Sequence, residues 1–130
     1  MQTGALSVLV VDDEAGVRYS LRRFLNIYGY HSFEAENIER ATEVLDRERV
    51  DAVILDVRLP NKQNGLDVLN QLRTERSLSH IPVLVLTGGT LSDAEERLIT
   101  SRRAHLFRKP EGLDTLVKFL DQLTGRDQTH

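Results

Sequence analysis

Short, dense apolar runs alternate along the chain with longer stretches in which apolar residues return every three or four positions. Ser7–Val11, Ala52–Leu55 and Pro82–Leu86 are compact and rich in β-branched residues and leucine, and polar residues bound each run. Runs of this kind suit strands buried on both faces of a parallel sheet. Two weaker runs, His31–Ala35 and Leu106–Arg108, predict strands at the sheet's edges. Between them, Val17, Leu21, Phe24, Leu25 and Tyr28 share one helical face, and Gly29 follows as a C-terminal cap. Asn37 is a good N-cap for a second helix carrying Ile38, Ala41 and Leu45. Leu66, Leu69 and Leu72 form a third, weaker stripe. Ser92 and Glu95 have the spacing of a capping box ahead of Leu98 and Ile99. Leu113, Leu116, Val117, Leu120 and Leu123 make the last helix.

Strands alternating with helices predict βαβ units with right-handed crossovers. The expected fold is therefore a doubly wound α/β sandwich, a five-stranded parallel sheet flanked by five helices. No internal repeat, low-complexity segment or interior linker divides the chain. One domain over 1–124 is expected, followed by a polar, fraying tail over 125–130.

Composition narrows the function classes. At 130 residues the chain is long enough to bury its own core. Leu, Ile, Val and Phe supply about a third of it, well above the ~20% below which disorder is expected. Without cysteine there is no disulfide framework, zinc knuckle or thiol nucleophile, which suits a reducing compartment. The net charge of −3 argues against direct nucleic-acid binding through bulk charge. No apolar run approaches the ~18 residues a membrane span needs, and Met1–Leu6 does not read as a signal peptide. A soluble, cytoplasmic protein is expected. Lysine is scarce, at Lys62, Lys109 and Lys118 beside fourteen arginines, so each lysine's position carries weight.

In doubly wound sheets, ligands bind beyond the carboxyl ends of the strands, where the strand order reverses. The first predicted strand ends in Asp12-Asp13-Glu14, the third in Asp56, the fourth in Thr87-Gly88-Gly89 and the fifth in Lys109-Pro110. Singly, each has an ordinary reading. Asp12 and Asp13 would start a helix, where acids complement the macrodipole; Asp56 would be a turn residue, Thr87 a strand-end cap and Lys109 a solvated lysine. Their coincidence at successive strand ends argues for a shared crevice. Two carboxylates about 4 Å apart repel by roughly 4 kcal/mol at an effective dielectric near 20. Three together call for a cation or for protonation; the natural cation is Mg²⁺, which takes one or two carboxylates plus waters and phosphate oxygens. Such a site is primed for phosphoryl transfer, and a carboxylate left free to attack would form an acyl phosphate.

Val10-Val11-Asp12-Asp13-Glu14, Leu55-Asp56 with Leu59-Pro60, Leu86-Thr87-Gly88 and Lys109-Pro110 together resemble the signature of the bacterial response-regulator receiver domain. The resemblance spans roughly Ser7 to Leu123 in the correct order. It implies the flavodoxin-like strand order and a phosphoacceptor role for Asp56, supplied by a sensor histidine kinase or a phosphotransfer protein. It further implies Mg²⁺ bound directly by Asp13, through water by Asp12, and by Asp56 and the backbone carbonyl of Arg58. Thr87 and Lys109 would each engage a phosphoryl oxygen. Phosphorylation would then draw in Thr87 and its following loop and re-pack the surface of the fourth helix, fifth strand and fifth helix for a downstream output domain or protein. Such a module switches partners and is not a true enzyme; its self-phosphorylation and hydrolysis are self-modification.

The chain departs from the family pattern in three places. Leu106 stands where an aromatic residue usually reports the switch, with Phe107 directed to the opposite face of the strand, so Leu106 is expected to keep its burial on activation. The loop from Pro60 to Gly65 is one residue longer than the common form. Arg58, two residues past Asp56, is either a solvent-facing arginine or a shield over the phosphoryl group. His31, His80, His105 and His130 show no ligand spacing and read as surface or strand-end residues. Arg102-Arg103 reads as a complement to the fourth helix's dipole. Two other function classes stay open. A Mg²⁺-dependent phosphohydrolase with an aspartyl nucleophile would want a second acid where Arg58 stands, and a flavin or nucleotide carrier would want a phosphate loop after the first strand.

Overall fold

The computed structural model describes residues 5–59, 61, 63–108 and 112–125. Ten elements alternate strictly: β1 (Ser7–Val11), α1 (Ala15–Ile27), β2 (His31–Ala35), α2 (Ile38–Arg47), β3 (Ala52–Leu55), α3 (Leu66–Thr74), β4 (Val83–Thr87), α4 (Asp93–Ser101), β5 (His105–Arg108) and α5 (Leu113–Thr124). All strand pairs are parallel, in the order β2-β1-β3-β4-β5. The two weak apolar runs are thus the edges, as their patterning requires. β4 is displaced by one residue from the expected Pro82–Leu86. Pro82 has no N–H to give the ladder and only accepts, from Val53 N, while Thr87 pairs with Arg108 and extends the strand.

Strand side chains alternate between two apolar cores because the strand repeat is two residues. Leu9, Val11, Val53, Leu55, Val83 and Val85 meet α2, α3 and α4 on one face. Val8, Val10, Ala52, Ile54, Leu84, Leu86 and Phe107 meet α1 and α5 on the other. Leu106 is half-buried against the first core and Phe107 is buried in the second, near-parallel to Phe119 with 6.5 Å between ring centres. The β5 side chains therefore face as expected.

Local chemistry fixes the helix ends. The Asn37 side chain accepts from Arg40 N at 2.8 Å, and Ser92 and Glu95 complete their capping box. Gly29, at φ 87°, takes the left-handed turn that ends α1. The end of α4 differs from expectation. Arg102 is its C-cap residue and Arg103 adopts φ 60°, but the guanidinium serving the carbonyls there belongs to Arg73 of α3. Arg73 donates to Arg102 O, Arg103 O, Ser79 O and Ile81 O, and burial, aided by Arg103, lowers its pKa from the ordinary arginine value. One side chain thus sews the α3–β4 and α4–β5 connections together at the base of the sheet.

Candidate functional site

The strand order reverses between β1 and β3, so the loops leaving these neighbours diverge and open a crevice. Asp12 and Asp56 are the residues immediately past the two strands. The ladder continues through both: Asp56 N donates to Val11 O at 2.9 Å, and Asp12 N donates to Ala35 O at 3.0 Å. Their backbones are therefore set by the sheet.

Asp12 is only 3% exposed. One of its carboxylate oxygens accepts from Glu14 N at 2.9 Å, and its carbonyl accepts from the Arg18 guanidinium, which also bonds Glu34. Asp13 is exposed and Asp56 intermediate. Carboxylate oxygens from Asp12, Asp13 and Asp56 all lie within 4.8 Å of one another. At that limit Asp12 and Asp56 repel by about 3.5 kcal/mol at an effective dielectric near 20, while exposed Asp13 adds about 1 kcal/mol through water. Three hard oxygen donors from two strand ends are a donor set suited to a small divalent cation. Among the described residues this is the one group of three or more histidine, cysteine or acidic side chains with metal-ligand spacing. His31 and His105 pack edge-on against Phe33 and Phe119 instead.

Thr87 ends β4, next to β3, and is 3% exposed. Val85 pairs with Leu55, so Thr87 and Asp56 project past the same edge of the sheet. The Thr87 hydroxyl oxygen accepts from Gly89 N at 3.2 Å. Accepting uses a lone pair and leaves the O–H hydrogen as the part able to donate. Lys109 lies outside the described residues, as do Pro60, Lys62, Pro110 and the tail 126–130.

Three features of the site were not anticipated. Gly65, which precedes α3, donates its N–H to Val57 O at 2.7 Å and presses against the Asp56 backbone. A Cβ built on Gly65 would fall inside the contact distance of the Asp56 carbonyl oxygen and 3.1 Å from Leu55 Cδ1. The phosphate-loop glycines of other folds are flagged by repetition; this one has no such signature.

The second feature is what the exposed Arg58 side chain is bound to. Its guanidinium meets the Glu95 carboxylate with both terminal nitrogens, at 2.5 and 2.9 Å, and reaches the Thr90 carbonyl at 3.1 Å. The third is Glu95 itself. Besides Arg58 it accepts from Asn64 Nδ2 at 3.1 Å and Ser92 N at 2.9 Å. Arg58, then Ser92 N and Asn64, hold the Glu95 carboxyl down to about 2. Glu95 in turn raises the Arg58 pKa, and the Asp56 charge adds to that. The loop carrying Asp56 is thereby tied to the first turn of α4.

A family comparison bears on this arrangement. The family model for the response regulator receiver domain matches residues 8–121. The chain belongs to that family. Among curated relatives, sporulation initiation phosphotransferase F of Bacillus subtilis is 31% identical over 110 residues, covering 84% of this chain and 86% of that protein. Response regulator MprA of Mycolicibacterium vanbaalenii is 44% identical over 80 residues, covering 62% of this chain and 33% of its own length. The probable transcriptional regulator ycf29 of Cyanophora paradoxa is 28% identical over 123 residues, 93% of this chain and 57% of that one. The chain thus spans a third of the length of the MprA regulator and just over half that of the ycf29 regulator. Among solved structures, chemotaxis protein CheY4 of Vibrio cholerae superposes with a TM-score of 0.83 at 26% identity, covering 92% of this chain and 99% of that one. The receiver is therefore a signalling module of the two-component type on a flavodoxin-like fold, a family whose members are generally not enzymes.

Proposed function

We propose that this receiver accepts a phosphoryl group on Asp56, with Mg²⁺, and uses the added charge to change the surface it offers a partner. The observation that carries the reading is the gathering of three carboxylates within 4.8 Å at the point where the strand order reverses.

An Asp56 carboxylate oxygen attacks the phosphorus of a phosphohistidine on a sensor kinase or phosphotransfer protein. The phosphorus–nitrogen bond breaks, and the departing imidazole nitrogen keeps the bonding pair and takes a proton from solvent. The product is an aspartyl phosphate. Asp12, Asp13, Asp56 and the Arg58 carbonyl would hold the Mg²⁺, whose charge offsets that of the carboxylates and the transferring group. Buried Thr87 donates its hydroxyl hydrogen to one phosphoryl oxygen, and Lys109, a compact ammonium on a flexible stem, pairs with another. Drawing Thr87 inward pulls on the loop to α4, so the face formed by α4, β5 and α5 becomes the one a downstream output domain or protein reads. On this reading the chain works in the cytoplasm, beside its kinase. With Leu106 already half-buried in the apolar core, activation leaves its burial unchanged, and movement of the β4–α4 loop carries the signal.

The test is intact mass after incubation with Mg²⁺ and a small acyl-phosphate donor. The parent gains one phosphoryl group and Asp56→Asn gains none. Equal uptake by both proteins, or none by the parent, rejects the reading.

A further inference from the structure

The bond network around Glu95 joins two segments that the sheet alone does not join. Arg58 and Asn64 belong to the connection leaving β3, and Thr90, Ser92 and Glu95 to the connection from β4 into α4. Arg58 is anchored at its other end close to the phosphoacceptor: its backbone N–H points at an Asp56 carboxylate oxygen across 3.4 Å. Its guanidinium is thus a cation on a flexible stem, rooted beside one anion and resting on another. The Arg58 side chain is 57% exposed and Glu95's is 15% exposed, so the arm is open to solvent while its partner is held in the α4 capping box.

Phosphorylation changes the competition between these two anions. Asp56 carries one negative charge as a carboxylate and about two once it bears a phosphoryl group, with additional acceptor oxygens. A guanidinium fits phosphoryl oxygens bidentately, as it now fits Glu95. Glu95 also has less need of Arg58 than Arg58's three bonds suggest, because Asn64 and Ser92 N continue to satisfy its carboxylate after the arm leaves. The Thr90 carbonyl, by contrast, loses its bond to Arg58.

We propose that Arg58 is an exchange arm: when Asp56 is phosphorylated, its guanidinium leaves Glu95 and the Thr90 carbonyl for the phosphoryl group, unfastening the start of α4. The inference rests on the phosphoacceptor reading of Asp56 and adds a route by which the added charge reaches α4. It makes Arg58 a direct ligand of the phosphoryl group and Glu95 a positioning residue that sets how readily Arg58 moves. Over the phosphoryl group, the arm also hinders the approach of hydrolytic water.

A double-mutant cycle on phosphoryl lifetime tests it. The full chain and its Glu95→Gln, Arg58→Ala and doubly substituted forms are phosphorylated with Mg²⁺ and a small acyl-phosphate donor, and loss of the phosphoryl group is followed by intact mass. Glutamine preserves the capping box but gives up the charge that detains Arg58. Glu95→Gln is expected to lengthen the half-life by about threefold, Arg58→Ala to shorten it, and Glu95→Gln to have no effect once Arg58 is gone. An unchanged half-life in Glu95→Gln, or the same change with and without Arg58, overturns the proposal. Hydrogen exchange over Thr90–Glu95 reads the other end of the arm. It should quicken on phosphorylation in the parent, and be already quick and unresponsive in Arg58→Ala. A full response without Arg58 overturns the proposal equally. Failure of the parent to take up phosphate at all sinks the phosphoacceptor reading itself, an outcome distinct from uptake with an idle Arg58.

Discussion

Gly65→Ala is the substitution whose consequence the geometry specifies most tightly. Gly65 has φ −58° and ψ −23°, a right-handed conformation that alanine adopts without strain. At an open position with such angles, replacing glycine by alanine stabilises a protein by roughly 0.4–1 kcal/mol, because it narrows the unfolded ensemble. Here the added methyl meets the Asp56 carbonyl group, 3.0 Å from its carbon and closer to its oxygen. The obstacle is backbone held in the ladder by the Asp56 N to Val11 O bond, so it cannot swing aside as a side chain tip would. Overpacking of this kind costs about 1–3 kcal/mol. The balance is a net loss of about 1–2 kcal/mol, or roughly 5 °C in Tm for a chain of this size. Gly16, in the first turn of α1, is the control. A Cβ there meets nothing within 4 Å, so Gly16→Ala should gain stability by up to about 1 kcal/mol. Thermal and urea unfolding of both variants provide the assay. Relief of the clash must also displace Asp56, so Gly65→Ala should slow phosphoryl uptake while Gly16→Ala leaves the Asp56 contact untouched. A Gly65→Ala protein as stable as the parent would refute the reasoning.

Three further outcomes are expected. Asp13→Asn should reverse its rank with Mg²⁺: in chelator it melts above the parent by relieving about 1 kcal/mol of solvent-screened repulsion, and at saturating Mg²⁺ below it, since a ligand at 100 times its Kd adds about 2.7 kcal/mol. A rank that ignores Mg²⁺ counts against a metal at the three aspartates. Because the Glu95 carboxyl is depressed from 4.5 to about 2, its contribution is complete above pH 4.5 and fades as the pH falls through about 2. With Arg58 more than half exposed, that contribution is about 1 kcal/mol, and the stability gap between parent and Glu95→Gln should close between pH 5 and about 2 in urea titrations; a gap constant with pH contradicts it. Arg73→Ala, which strips a shared donor from four carbonyls, should cost about 2–4 kcal/mol in the same titrations, far more than an exposed arginine would, and a loss under 0.5 kcal/mol would deny it the fastening role.

The alternation of apolar runs made the fold legible because a doubly wound sheet writes its layers into the sequence. Central strands such as Ala52–Leu55 are buried on both faces and read as continuous apolar runs, while His31–Ala35 at the edge reads as a weak one. Asn37, Gly29 and the Ser92–Glu95 pair were legible because caps are local chemistry. The gathering of Asp12, Asp13 and Asp56 was legible too, since the strand-end rule brings together residues more than forty positions apart. What escaped notice depends on how loops travel. Arg58 and Glu95 are 37 residues apart, and no periodicity records that the loop after β3 leans toward α4. Glu95 was visible as a capping residue, yet its carboxylate has a second use that capping statistics do not carry. Tyr30 and Asp121, joined by a buried hydrogen bond between β2's approach and α5, escaped for the same reason, as did Arg73's reach to the end of α4.

The most direct test is chemical trapping of the phosphorylated chain. Borohydride reduces an acyl phosphate to the alcohol, so peptide mass mapping after phosphorylation with Mg²⁺ and reduction should find homoserine at position 56, with Asp12 and Asp13 intact and no product when chelator replaces the metal. Homoserine at position 12 or 13, or equal trapping in chelator, would contradict the assignment of one carboxylate as acceptor and its neighbours as the cation's seat.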